Sequence, residues 1–286
     1  MKLRDNFVVF ILSHGRANNI KTLNTLKKAN YNGDWFIVID NEDKTANEYY
    51  EKYGKDKVIM FDKLEKSKEF DTADNFDDRR TIVYARNACF DIAEKLGYRY
   101  FLELDDDYTS LGFRKVKDDK FIEIHSRNAN SLFEAMLRFL DDTGAMTVAL
   151  AQGGDFIGGS QSSFFRKGIS RKAMNTFFCD VEKRFNFIGR VNEDVNTYVR
   201  MGNIGRLLLT VSKASITQVT TQASTGGMTE QYLDSGTYVK SFYTILFMPS
   251  SVKIRMMGGS NKRLHHSVSW NNTVPKIMNE RYKKRG

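Results

Sequence analysis

The chain has 286 residues, 41% hydrophobic and 28% charged, enough for one large or two small globular domains with a substantial core. No run of about 18 uncharged apolar residues occurs, and the apolar stretch in MKLRDNFVVFILSHGR is too short for a spanning helix or signal peptide, so a soluble cytoplasmic protein with no membrane partner is expected. The net charge of +9 is concentrated at one end, because Ser251 to Gly286 holds nine Lys and Arg against a single acid, Glu280.

In chain order, Phe7 to Ser13 reads as a buried strand ending in Ser13-His14-Gly15-Arg16, and a helical pattern follows through Ile20, Leu23 and Leu26. Trp35 to Asp40 (WFIVID) is a second strand closing on an acid. A polar helix near Lys44 to Tyr53 and a short strand from Val58 to Phe61 come next, then a Lys- and Asp-rich loop to about Asp78. Thr81 to Leu96 has helical spacing, stops at Gly97 and feeds a strand from Tyr100 to Leu104. This alternation predicts an α/β fold whose central sheet is mostly parallel, with helices on both faces.

Beyond Asp107 the rhythm changes. Asn130 opens a helix to Leu140, Met146 to Ala151 is a strand, and the loop GGDFIGGSQSS follows. Ser170 is expected to cap a helix through Met174, and Asn192 another through Arg200 that ends at Gly202. Leu207 to Ser212 reads as a strand, while residues 213–240, rich in Thr, Ser, Gln and Gly, predict a mobile loop near a site. Cys89 and Cys179 sit in patterns typical of buried faces, which argues against a disulfide framework or a thiolate metal site.

In open α/β sheets, ligands bind beyond the carboxyl ends of the strands. Three such ends are polar here: Ser13-His14-Gly15-Arg16, Asp40-Asn41 and Asp105-Asp106-Asp107. Adjacent carboxylates repel, so three in a row are costly unless something positive sits beside them. Asp105 and Asp107 form a D-x-D pair offering hard oxygen ligands to Mg2+ or Mn2+; the competing reading is an acidic turn after a strand. Glu193 and Asp194 open a helix, where the macrodipole favours any carboxylate. Asp155 lies in the Gly-rich loop and either lines an acceptor pocket or makes an ordinary turn. Phe164 and Phe165 read as core, and His125 has no assigned role. The basic end suits a polyanion such as nucleic acid, or is simply a solvated tail.

The run ARNACFDIAEKLGYRYFLELDDD closely resembles the segment leading to the D-x-D of GT-A nucleotide-sugar glycosyltransferases. NEDVNTYVRMG resembles the acid-bearing helix of that fold, and His265-His266 falls where many such enzymes supply a histidine to the metal. The opening SHGRANNIKTL, the triplet and the GGDFIGG loop are most similar to the TET-associated glycosyltransferases, a largely phage-encoded family associated with sugar transfer to hydroxymethylated pyrimidines in DNA.

That resemblance implies a GT-A domain over residues 1–250 and a basic segment, 251–286, that completes the site. It implies Mn2+ or Mg2+ on Asp105, Asp107 and His265. A UDP-sugar would lie against Ser13, His14, Arg16, Asp40, Arg86, Asn87, Asp105 and Asp106. Glu193 or Asp194 would act on the acceptor. DNA carrying a hydroxymethylated cytosine or uracil would meet Asp155, Lys283, Lys284 and Arg285, with glucosyl and arabinosyl transfer both fitting. Competing expectations are a carbohydrate or protein acceptor, a nucleotidyltransferase, and a nucleic-acid-binding module on an inactive transferase scaffold.

Overall fold

The computed structural model describes residues 2–73, 78–219, 239–258, 262–277, 280, 283 and 284. The run FVVFIL forms β1 (Phe7–Leu12), buried along its whole length. Two parallel neighbours flank it, β2 (Asp34–Asp40) and β4 (Tyr100–Asp105), and β3 (Val58–Phe61) adds in parallel beyond β2. Alternate β1 side chains enter opposite cores. Phe7, Val9 and Ile11 pack with α1 (Lys21–Lys28), α2 (Ala46–Tyr53) and α5 (Ala129–Thr143), whereas Val8, Phe10 and Leu12 pack with α4 (Val83–Leu96) and α7 (Glu193–Asn203). Covered on both faces, the strand has no polar side, which is why its sequence is continuously apolar.

Beyond β4 the sheet is mixed. The antiparallel β9 (Phe177–Asp180) lies between β4 and β7 (Thr147–Ala151), and β10 (Leu208–Gln218) pairs with β7 in parallel. A hairpin of β5 (Tyr108–Lys117) and β6 (Lys120–His125) closes that edge antiparallel to β10. The α/β sheet flanked by helices is as the sequence predicts, while the hairpin and β9 are additions. Two short helices, α3 (Lys63–Ser67) and α6 (Ser163–Lys167), lie on the connections. Phe164 and Phe165 pack around Phe156 and Phe121 in a small satellite core, as the sequence suggests. Cys89 and Cys179 are buried free thiols.

Four local expectations are corrected. Ser170 caps no helix: Ile169–Ser170 is the short strand β8, antiparallel to β10, and residues 171–174 are irregular. Residues 213–218 are strand rather than loop, because β10 continues to Gln218; residues 220–238 lie outside the described residues. Asn192 stands at φ 57° and makes no side-chain cap to α7; its amide instead donates to the Lys240 carbonyl at 2.6 Å, at the start of α8 (Lys240–Phe247).

Gly202 does not terminate α7, which runs on to Asn203. A Cβ at Gly202 would meet Thr273 Cγ2 at 2.7 Å and the Thr273 carbonyl oxygen at 3.2 Å, so the glycine admits the chain that follows the second, two-stranded sheet of β11 (Val252–Met257) and β12 (Arg263–Val268). That chain stacks Trp270 on Tyr198 of α7, ring centroids 5.7 Å apart. Gly202→Val should therefore lower the stability to urea by about 1–3 kcal/mol, the range for overpacking a tight contact. An unchanged denaturation midpoint would show that the approach of Thr273 is not constrained.

Candidate active site

The parallel register sets Leu12 opposite both Val38 and Asp105, so the chain leaves β1, β2 and β4 on one edge of the sheet. Thr22 fastens α1 to that edge: its hydroxyl donates to the Asp105 carbonyl at 2.6 Å and accepts from the Tyr108 N–H at 3.1 Å. The three polar strand ends expected to form a site do converge there.

At their centre Arg86 of α4, 1% exposed, donates Nε to Glu193 at 3.2 Å, one terminal nitrogen to Glu103 at 3.4 Å and the other to Asp105 at 3.3 Å. Its guanidinium also lies 4.8 Å from the Phe177 ring centroid. Burial pushes Glu103 up to about 8 against the pull of Arg86, and Asp105, likewise desolvated, rises to about 7, with Asp107 and Asp106 adding to the effect. Arg86 is therefore positioned to hold the acidic strand end and α7 together. Asn87 is buried too, exchanging hydrogen bonds with the Phe187 backbone at 3.0 and 2.8 Å.

The three aspartates have different surroundings. Asp106 is buried and turned to the β1 loop, accepting from the Ser13 hydroxyl at 2.6 Å and Arg16 at 3.0 Å. Tyr49 of α2 completes the fastening through Ser13 and the Arg16 N–H, both at 2.8 Å. Asp107 accepts from Gln218 at 3.3 Å through one oxygen, and its other oxygen, Oδ1, is buried with no hydrogen-bond partner. At the end of β2, Asp40 is already engaged by His14 at 2.8 Å and by Lys63 at 3.3 Å. Burial alone would raise Asp40, but the His14 hydrogen bond and the Lys63 charge outweigh it and hold the carboxyl below its usual value. The same hydrogen bond raises His14.

At the start of α7, Glu193 is tied to Arg86, whereas Asp194 has no ion pair among the described residues. Burial, then the Glu193 charge, pushes the Asp194 carboxyl upward. Asp155 is buried, holds the Gln152 N–H at 2.9 Å and pairs with Lys172 at 2.5 Å. His265 and His266 lie on β12 with ring centroids 4.3 Å apart, and His266 Nδ1 is 3.4 Å from the Asn192 amide. Burial, with the charges of His265 and Lys240, pushes His266 down to about 3, so it is neutral at physiological pH. Lys283 and Lys284 are exposed; Arg285 lies outside the described residues.

Among the described residues, no three His, Cys, Asp or Glu side chains are grouped to hold one ion, so His265 does not complete a set with Asp105 and Asp107. Hard divalent cations that keep water and bind substrate phosphate need only one or two carboxylates. The unpartnered Asp107 oxygen beside Asp105 fits such an ion. Sequence reasoning missed Glu103, Lys63, Tyr49, Lys172 and Gln218. For Glu103 there was a signal, since an acid inside the buried strand YFLEL demands a cationic partner.

A family model described as TET-Associated Glycosyltransferase matches residues 7–227. The chain belongs to the TET-associated glycosyltransferase family, and it is a glycosyltransferase. Two solved structures of glucosyl-3-phosphoglycerate synthase from Mycobacterium tuberculosis are similar at 10% identity. The one in complex with Mg2+ and UDP covers 92% of this chain and 87% of its own at a TM-score of 0.46. The one with Mn2+, UDP and phosphoglyceric acid covers 92% and 86% at 0.47. A comparison with curated proteins gives no match. No helix among the described residues is long and apolar enough to cross a membrane.

Arg86→Met should cost about 3–5 kcal/mol by leaving buried carboxylates without their cation, and Arg86→Lys should recover little because one ammonium cannot span the three-way fork. Chemical denaturation measures both; a loss below about 1 kcal/mol for Arg86→Met would contradict the buried-pair reading. For His14, whose folded pKa is raised, the stabilisation is fully present below its unfolded pKa of about 6.5 and is lost as pH rises through the folded value. The stability gap between the protein and His14→Ala should therefore be wider at pH 6 than at pH 9; a gap independent of pH would contradict the His14–Asp40 pairing.

Proposed function

Starting from that family membership, we propose that the chain transfers a glucose- or arabinose-type sugar from a UDP-sugar to the hydroxyl of 5-hydroxymethylcytosine, or 5-hydroxymethyluracil, in DNA. The observation that carries the donor half is the buried, unpartnered Asp107 oxygen beside Asp105 at the end of β4. Asp105 and Asp107 would hold Mg2+ or Mn2+, the rest of its coordination coming from water and the diphosphate. Once bound, the ion neutralises charge developing on the diphosphate leaving group.

The chain's own residues do the rest. Ser13 and Arg16, fastened through Asp106 and Tyr49, fix the loop after β1 against which the nucleotide would lie. Asp40 is held by buried Lys63 and by half-exposed His14 at the end of β2, so the His14 ring, more than the carboxylate itself, would meet that ligand. Asp194 is the stronger candidate for the acceptor proton, because Glu193 is already committed to Arg86. A carboxyl raised toward neutrality is matched to taking a proton from an attacking hydroxyl, if the sugar inverts. If the sugar is retained, Asp194 would orient it instead.

The acceptor half rests on the family's name and on the basic C-terminal segment. A 5-hydroxymethyl group lies in the major groove, and bringing it to a recessed carboxylate calls for extruding the nucleotide at a cost of a few kcal/mol. Incubation with UDP-glucose or UDP-arabinose and hydroxymethylpyrimidine DNA should add one hexose or pentose to the nucleoside mass. The gain should vanish with chelator and in Asp107→Ala, and slow by about 10²–10⁴ in Asp194→Asn. Transfer only to a saccharide or protein acceptor, with DNA unchanged, would overturn the acceptor assignment.

A further inference from the structure

In the two-stranded sheet, Lys253 pairs with Ser267 and Arg255 with His265, whereas Val252 pairs with Val268 and Ile254 with His266. Alternation along a strand sends these two sets to opposite faces. One face is anchored. Val252 is 2% exposed, Val268 packs against the same core, the Leu264 carbonyl accepts from Ser241 of α8 at 3.2 Å, and His266 meets Asn192. The other face carries Lys253 and Arg255, both exposed, and neither has an acidic partner among the described residues. From residue 251 to 279 the sequence contains no Asp or Glu at all.

Two neighbouring cations with no counter-charge repel, and a solvated surface would ordinarily intersperse signs. We propose that this outward face of the β11–β12 ribbon is the surface that grips the phosphate backbone of duplex DNA beside the target nucleotide, a proposal that rests on the DNA-acceptor reading above. Its position supports this. Asn192, to which His266 is bonded, stands one residue before Glu193 and two before Asp194, so the ribbon is fixed beside the proposed acceptor carboxylates. A two-stranded ribbon is also of a size that the major groove admits, where the hydroxymethyl group projects. A membrane-surface element would set large apolar side chains among its basic ones, whereas Lys253, Arg255, His265 and Ser267 are polar and Met257, at the end of β11, is the one apolar residue of β11 on this face.

The ribbon, rather than the terminal Lys283 and Lys284, is then the principal phosphate contact. Lys283 is already paired with Glu280. The test is anisotropy of a labelled duplex of about 20 base pairs across a salt series, comparing the protein with the Lys253→Glu/Arg255→Glu and Lys283→Glu/Lys284→Glu doubles. The ribbon double should bind at least about tenfold more weakly and reduce the slope of log K against log salt by about 2, while the terminal double changes both less. UDP affinity and thermal midpoint should be unaltered in the ribbon double, which separates lost contacts from misfolding.

Equal affinity and slope in the ribbon double, a protein that binds no duplex, or binding confined to anionic phospholipid vesicles would each overturn the proposal. Sugar transfer is scored separately on hydroxymethylated DNA. A protein that modifies DNA while its ribbon double binds normally sinks the ribbon alone. A protein that binds DNA through Lys253 and Arg255 yet transfers no sugar to it sinks the acceptor reading alone.

Discussion

Glu103, Asp105 and Glu193 come from two positions on β4 and the first turn of α7, and they share one buried cation, Arg86 of α4. Burial in a region of low dielectric raises Glu103 and Asp105 against the pull of Arg86, and the charges of the neighbouring carboxylates add to the rise. A buried ion pair of this kind is weak evidence for added stability, because desolvation offsets much of the attraction. Its structural consequence is clearer. Arg86 ties the sheet edge to the helix that carries Glu193 and Asp194, so β4 and α7 share one anchor.

That anchor explains why three aspartates follow one another. Asp105 is held by Arg86 and Asp106 by Ser13 and Arg16, while Asp107 keeps one buried oxygen without a partner. The triplet is thus a divided arrangement of one shared, one fastened and one open carboxylate. The same division recurs at the start of α7, where Glu193 is committed to Arg86 and Asp194 is not.

Much of this frame was legible in the sequence. Continuous apolar runs closing on polar residues revealed β1, β2 and β4, because strands covered on both faces have no alternation to hide them. The helix before the triplet was bounded by Gly97, which takes the left-handed conformation at its end. The β5–β6 hairpin was not legible, since its turn uses Asp118-Asp119 at φ 51° and 57° instead of the Asn-Gly or Asp-Gly that normally marks such turns. Asn192 misled for a related reason: a residue suited to capping is equally suited to a left-handed position, and tertiary bonding to α8 chose the latter. Roles set by long-range partners, such as Asp40 with Lys63 or Asp155 with Lys172, leave no periodic trace along the chain.

On the proposed function, the open carboxylate of Asp107, set beside the anchored Asp105, receives a divalent ion that in turn holds a diphosphate. Calorimetric titration of UDP into the protein and into Asp107→Asn, each with Mn2+ and after chelation, tests it most directly. Tight binding is expected only for the unaltered protein with Mn2+, with weakening of at least about tenfold in the other three cases. Equal UDP affinity in all four would contradict it.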